Sequence, residues 1–472
     1  MPDATTSPPV PQPTRGRPPR RGRLVVAAAG ALAGVALIAG CRPPLAELPP
    51  ASVVFVLVDT LRADHLGTYG YPRPTSPRID RLAAESVVFT QARTVSPWTN
   101  PTIVSLFTGR HPTAVQVPQL HAEAIRAPLP AGLSTLAERL RGAGLRTLAF
   151  VDHPGISPGL GFARGFETFV RLYQRFEVPA WGRTEGGQIV AEIARQLRAL
   201  GEARCFVYLH LVYPHRPYDA PAEYDQLFGP TADEYRRRNR DGLRNAYDAE
   251  IRYTDNVVGE LLATLDRAGR LDDTWVVITS DHGEGFWEHG YAEHGNSFYD
   301  ELLRVPLIVR PPRAAGVTPR RVDDPVSLVD LHATVLEMAG APATNGHAGE
   351  EGRSLLRFLG SRAERGATPL VSQQPHSGDV RGAALVTPPW KLIRRAEPHR
   401  GTLQLYDLVN DPRERENLAA AQPDLVRRLD AELAQHLLAD QARRDALRSP
   451  AGGEVELDAD EIERLRALGY LN

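Results

Sequence analysis

The sequence predicts an α/β fold, with a central and mostly parallel sheet flanked by helices and a smaller α+β subdomain towards the C-terminus. Short runs rich in β-branched residues alternate with longer segments whose apolar residues recur every three or four positions. Two of those runs end directly in aspartate, at Asp59 and Asp281. Past about residue 365 the pattern shortens to a strand-and-helix unit around Trp390–Ile393 and Leu405–Leu408, followed by a helix over Asp424–Ala439.

In chain order, the Pro- and Arg-bearing start runs into the apolar stretch Leu24–Gly40 and then Cys41. That is the order of a secretory signal, and the stretch is short beside the roughly 20 apolar residues of a spanning helix. Leu37-Ile38-Ala39-Gly40-Cys41 resembles the lipobox of bacterial lipoproteins, which implies lipidation of Cys41 and a chain tethered to the bacterial cell envelope, on the periplasmic or cell-surface side. Residues 1–41 are therefore read as signal peptide and lipobox, 42–50 as linker, 51–365 as the catalytic domain, 366–445 as the C-terminal subdomain and 446–472 as a tail that docks back. Residues 1–40 hold five arginines and one aspartate, so the formal charge of −2 becomes about −6 without them, which argues against nucleic acid as a partner. Cys205 has no partner for a disulfide and reads as a buried strand residue.

Strands are expected at Val53–Val58, Leu145–Val151, Phe206–Val212, Trp275–Thr279 and Val305–Val309. Thr135-Leu-Ala-Glu138 has the form of a capping box opening a helix that Gly142 and Gly144 end. Further helices are expected over Gln188–Leu200, Arg244–Ala268 and Leu328–Ala339.

In open α/β sheets ligands bind beyond the carboxyl ends of the strands. Asp59, and Asp281 with His282 and Gly283, thus bring carboxylates and an imidazole to one sheet edge, a plausible divalent metal site; taken singly, each aspartate reads as a turn former or helix cap. In Trp98-Thr99-Asn100-Pro101, the proline suits a first helical turn and puts Thr99 or Asn100 at the cap, beside free backbone N–H groups that favour anions. Thr99 is then either a cap or a nucleophile. His210 reads as a hydrogen-bonded core histidine, Asp64, His65, His289 and His332 as structural or solvated, with His289 a further ligand candidate.

The blocks Val58-Asp59-Thr-Leu-Arg-Ala-Asp-His-Leu-Gly-Thr-Tyr-Gly70, Pro101–Gly109, Pro214-His215-Arg-Pro-Tyr218, Ser280-Asp281-His282-Gly-Glu284, Arg304–Val309 and Leu405–Pro412 resemble, in this order, those of the sulfatase family in the alkaline phosphatase superfamily. The resemblance implies an alkaline-phosphatase-like fold and a divalent metal (Ca, Mn or Zn) on Asp59, Asp281 and His282, with the nucleophile Thr99 also touching it. It gives His215 a role at the ester or leaving group. His294 stands where sulfatases and phosphonate hydrolases tend to carry lysine and resembles the histidine of phosphoethanolamine transferases, which implies a second metal or a substrate oxygen as its partner. Sulfatases proper carry Cys or Ser at position 99, which becomes formylglycine, and Arg at position 103; this chain has Thr99 and Ile103. A threonine cannot become formylglycine and has no geminal hydroxyl to expel sulfate, so the departure points towards phosphate or phosphonate esters. The expected substrate is an anionic ester, whether small molecule, glycan or lipid headgroup. An envelope phosphoethanolamine-type transferase and an inactive anion-binding lipoprotein remain the alternatives.

Overall fold

The computed structural model describes residues 50–470 except 116, 118, 122–123, 127, 181, 232–238, 343–349, 361–367, 377–378, 396–401, 448–454, 458 and 469. The signal segment, Cys41 and nearly all of the linker lie outside the described residues. An eight-stranded sheet runs in the order Arg320–Val322, Val87–Phe89, Leu307–Arg310, Thr274–Thr279, Ser52–Val58, Cys205–Leu211, Arg146–Val151 and Thr168–Arg171. Leu307–Arg310 pairs antiparallel with both its neighbours, and the other pairings are parallel. The five expected strands are present with their ends shifted by a residue or two.

The centre of the sheet is buried on both faces, as continuous apolar runs require. Along Ser52–Val58 the period of two sends Val53, Phe55 and Leu57 into one core with Ile103, Phe107 and Leu336, and Val54, Val56 and Val58 into another with Ile189, Tyr247 and Leu261. The first core is covered by the helices Thr99–Thr108, Leu136–Gly142 and Asp330–Met338, the second by Gly186–Leu200 and Arg240–Arg267. The capping box forms as expected: Glu138 N–H donates to Thr135 Oγ1 at 3.1 Å and Thr135 N–H donates to Glu138 Oε2 at 2.7 Å. Among the described residues no helix is long and apolar enough to cross a membrane.

Towards the C-terminus, Leu370–His376, Asp379–Thr387, Trp390–Arg395 and Thr402–Asp407 form an antiparallel sheet with the helix Pro423–Ala446 on one face, packed through Leu385, Leu392, Leu405, Leu429 and Leu433. Its other face meets Phe298, Tyr299 and Leu303. Between the two parts lies Lys391, fully buried, with its Nζ 2.8 Å from Asp300 Oδ1 and 2.7 Å from Glu414 Oε1; Arg93 reaches the other oxygen of Asp300 at 2.6 Å. The cations outweigh burial and hold the Asp300 carboxyl well below the usual range.

The described residues after Asp445 pack on the large sheet's domain. Val455–Glu456 pairs with the strand Ala124–Arg126, and the helix Ala459–Ala467 buries Leu465 completely. Arg464 lies over the Tyr173 ring at 4.4 Å and Glu461 pairs with Arg171 at 2.7 Å. Complete burial of a leucine contributes about 1.5–3 kcal/mol.

Substitution of Lys391 by Met would leave two buried carboxylates without their shared cation. We expect a loss of about 3–5 kcal/mol, read as a lowered midpoint in urea unfolding.

Candidate active site

The strand Ser52–Val58 has apolar residues at every position after Ser52, and the chain turns immediately after it. Asp59 is thereby fixed at the strand end, its N–H donated to the Leu211 carbonyl at 2.8 Å. Thr60 follows with φ 56°, a conformation costly for a β-branched residue. Three hydrogen bonds hold this turn: Thr60 N–H to Asp281 Oδ1 (3.2 Å), Leu61 N–H to Ser280 Oγ (2.8 Å) and the Tyr247 hydroxyl to the Thr60 carbonyl (2.7 Å). The neighbouring strand Thr274–Thr279 thus delivers Asp281 beside Asp59. Both carboxylates are completely buried, and neither oxygen of Asp59 nor Oδ2 of Asp281 has a hydrogen-bond partner.

Three more side chains converge there. His210, one residue before the end of Cys205–Leu211, points Nε2 at Asp59 Oδ2 from 3.6 Å and shares Nδ1 with the Tyr208 hydroxyl at 3.0 Å. His153, just past Arg146–Val151, has its Nε2 3.8 Å from the same oxygen. His282 Nε2 lies 3.4 Å from Asp281 Oδ2 and 3.8 Å from Asp59 Oδ1, while Nδ1 faces the Gly283 carbonyl at 2.9 Å. Ligand atoms of Asp59, His210 and Asp281 all lie within 4.8 Å of one another.

Thr99 is the first residue of the helix Thr99–Thr108. The cap falls one residue earlier than expected, at Trp98 in extended conformation, so the Thr99 hydroxyl is not engaged in capping. It sits instead 3.0 Å from His282 Nε2 and 2.8 Å from the hydroxyl of Tyr470. On the outer side His294 stacks on His282 with ring centres 4.5 Å apart, and its Nδ1 lies 3.3 Å from Glu284 Oε1. The His215 ring lies edge-on to His294 at 4.9 Å, its Nε2 unpartnered. Asp59, Thr99, His215, Asp281, His282 and His294, drawn from segments far apart in sequence, are thus one cluster. Asp64, His65, His289 and His332 have other partners: Arg62 holds Asp64, Asp248 holds His65, Glu301 holds His289 and the Leu106 carbonyl holds His332.

One sequence reading is corrected: His210 is not simply a core histidine, because its Nε2 is unpartnered and aimed at the carboxylates. The structure adds His153 and Tyr470 to the cluster. Asp152-His153 directly follows a strand, the same signal that marks Asp281-His282, whereas nothing local marks Tyr470.

Burial, and then repulsion from Asp281, raises the Asp59 carboxyl well above its usual range; burial likewise raises Asp281. Burial pushes His153, His215 and His282 well down, and His210 to about 4, so these rings are neutral near pH 7. His294 alone is carried up, to about 9: burial opposes its charge, but Glu284, Asp59 and Asp281 prevail. Orphaned carboxylate oxygens and neutral imidazole nitrogens around one point form a donor set that fits a divalent cation.

Fold and site define a large α/β protein of the alkaline phosphatase-like class, with a cluster of carboxylates and imidazoles that could hold a metal and a hydroxyl beside it at the carboxyl ends of its strands. The family model described as Sulfatase matches residues 51–341, and one described as N-sulphoglucosamine sulphohydrolase, C-terminal, matches 287–443. The chain belongs to the sulfatase family, whose members are sulfuric ester hydrolases and typically bind a divalent metal. It is 27% identical over 430 residues to an ulvan-active sulfatase of Formosa agariphila, covering 82% of this chain and 81% of that protein. The fold is shared with the phosphonate monoester hydrolase of Agrobacterium radiobacter (TM-score 0.63, 21% identity, 86% of this chain and 100% of that one). It is shared too with a protein solved in complex with its substrate D-glucosamine-2-N,6-O-disulfate (TM-score 0.69, 18% identity, 84% and 99%).

Without a cation, the buried carboxylates of Asp59 and Asp281 repel each other at close quarters. Asp59→Asn is therefore expected to raise the thermal midpoint of the metal-free protein. Adding Ca, Mn or Zn at a hundred times its Kd stabilises the wild type by about 2.7 kcal/mol and leaves the variant's midpoint unmoved, as calorimetry can measure.

Proposed function

We propose that this protein is an exported, metal-dependent hydrolase of anionic esters that works through a covalent intermediate on Thr99, cleaving phosphate, phosphonate or sulfate esters. The observation that carries this reading is the Thr99 hydroxyl, free of capping duty and within hydrogen-bond reach of His282 beside two buried carboxylates. Asp59 and Asp281, with His282 and His210 around them, would hold the cation. A divalent metal there supplies Lewis-acid stabilisation of the transferring group and ionises a bound hydroxyl near neutral pH.

The rest is done by the chain's own groups. Thr99 Oγ1 attacks the central atom in line and the leaving oxygen departs opposite. His294, carrying a proton, faces the non-bridging oxygens or protonates the leaving oxygen; His215, neutral and with a free Nε2, lies beside it. The backbone N–H groups of Thr99 and Asn100 open a helix and face developing negative charge. Water then releases the covalent intermediate. Threonine offers no aldehyde hydrate for expelling sulfate, and attack of water at phosphorus needs none, which supports phosphorus esters ahead of sulfate. The fold is known to serve both chemistries, since its neighbours include a phosphonate monoester hydrolase and a protein bound to a sulfated sugar as substrate.

The order of segments before Cys41 supports export and a lipid anchor in the bacterial envelope. Cys41→Ala is expected to abolish incorporation of labelled palmitate and to move the protein from the membrane to the soluble fraction of the producing bacterium.

The test of the activity is turnover of nitrophenyl phosphate, phosphodiester, phosphonate and sulfate by the metal-loaded protein. Thr99→Ala should abolish turnover and the adduct found on the Thr99 peptide by mass spectrometry. His294→Ala should cost about 10²–10³-fold in kcat. Full activity of the Thr99→Ala variant would remove the nucleophile from the reading.

A further inference from the structure

Tyr470 enters the site from the docked tail, although the tail is remote from it in sequence. Its hydroxyl is 2.8 Å from Thr99 Oγ1 and 3.1 Å from His153 Nε2. Its ring stacks on His215 (5.7 Å, 18°) and lies nearly parallel to Trp98 (6.4 Å, 17°). The direction of these hydrogen bonds follows from the His153 ring. Gly155 N–H donates to His153 Nδ1 at 3.0 Å, so the proton of that ring is on Nε2 and is donated to the Tyr470 oxygen. Tyr470 therefore accepts from His153 and donates its own O–H to Thr99 Oγ1.

We propose that Tyr470 is a catalytic residue, a hydroxyl donor delivered by the C-terminal segment that stabilises negative charge on Thr99 Oγ1 as this oxygen becomes the nucleophile. The proposal rests on the reading of Thr99 given above. A donor already aimed at the reacting oxygen needs no reorganisation when charge develops. Tyr470 stands between the completely buried Thr99 and a cavity of about 410 Å³ that is lined also by Trp98, His215, Glu284 and His294. The segment is anchored as part of the fold, through Leu457 and Leu465 in the core, the strand pairing of Val455–Glu456 and the Glu461–Arg171 ion pair.

The test uses a phosphonofluoridate, which reports on the nucleophile without a natural substrate. The Thr99 oxygen forms a bond to phosphorus, the P–F bond breaks, fluoride leaves, and the threonine proton is released to solvent. Labelling is followed by intact mass and located on the Thr99 peptide, in the wild type, in Tyr470→Phe and in a chain ending at Leu468. Tyr470→Phe keeps the stacked ring, and the shortened chain keeps the anchoring helix; unchanged thermal midpoints establish that both are folded. We expect labelling at Thr99 to slow at least tenfold in both and, on a turned-over nitrophenyl ester, kcat to fall with KM changed less than threefold. Labelling as fast as wild type, or faster, overturns the proposal; faster labelling or turnover in the shortened chain makes the segment an inhibitory plug. A wild type that is not labelled at Thr99 overturns the nucleophile reading itself, and this proposal with it, an outcome distinct from normal wild-type labelling that Tyr470→Phe leaves unaltered.

Discussion

Two buried carboxylates that face one point govern this structure. Asp59 and Asp281 stand at the ends of adjacent parallel strands with three of their four oxygens unsatisfied, an arrangement that burial alone makes unfavourable. Everything around them bears on that cost. The strained turn at Thr60 turns an N–H towards Asp281, neutral imidazoles of His153, His210 and His282 face the pair, and protonated His294 stacks on His282 from the outer side. The site is therefore organised for a cation before one arrives, and its histidines are kept neutral by the same burial that makes the carboxylates costly.

Much of this was legible in the sequence because strand ends are legible. A run of apolar β-branched residues closed by Asp tells both where the strand stops and which edge the carboxylate occupies, and Val53–Asp59 and Trp275–Asp281 deliver what they promise. His210 was misjudged for a physical reason: it lies inside the strand, where the sequence gives only its alternation, and a buried ring is a site residue or a core residue according to what the neighbouring strands end in. His153 carried the strand-end signal but without a flanking motif. Tyr470 carried none, since its place depends on a tertiary docking through Leu465, Arg464 and Glu461 that no local pattern encodes.

The C-terminal sheet answers a different need. One of its faces packs on its own helix, and the other presents Ile393 and Tyr406 to Phe298 and Tyr299, just past the loop that carries His294. Lys391, Asp300, Glu414 and Arg93 tie the two parts together across this face. A buried ion cluster of this kind costs desolvation, and its contacts through Asp300 hold the segment that also carries His289 and His294.

The central strand has a consequence for how the chain reaches this state. Ser52–Val58 is flanked in the sheet by segments from the middle of the sequence, with Val53 opposite Phe206 on one side and Trp275 on the other. Pairings so distant close large loops and form slowly. Until they form, this strand, apolar at every position after Ser52, has two open edges, a template for association with other chains. Folding yield should then be decided by competition between intramolecular closure and bimolecular aggregation, and so by chain concentration and by whatever holds that strand in the interval.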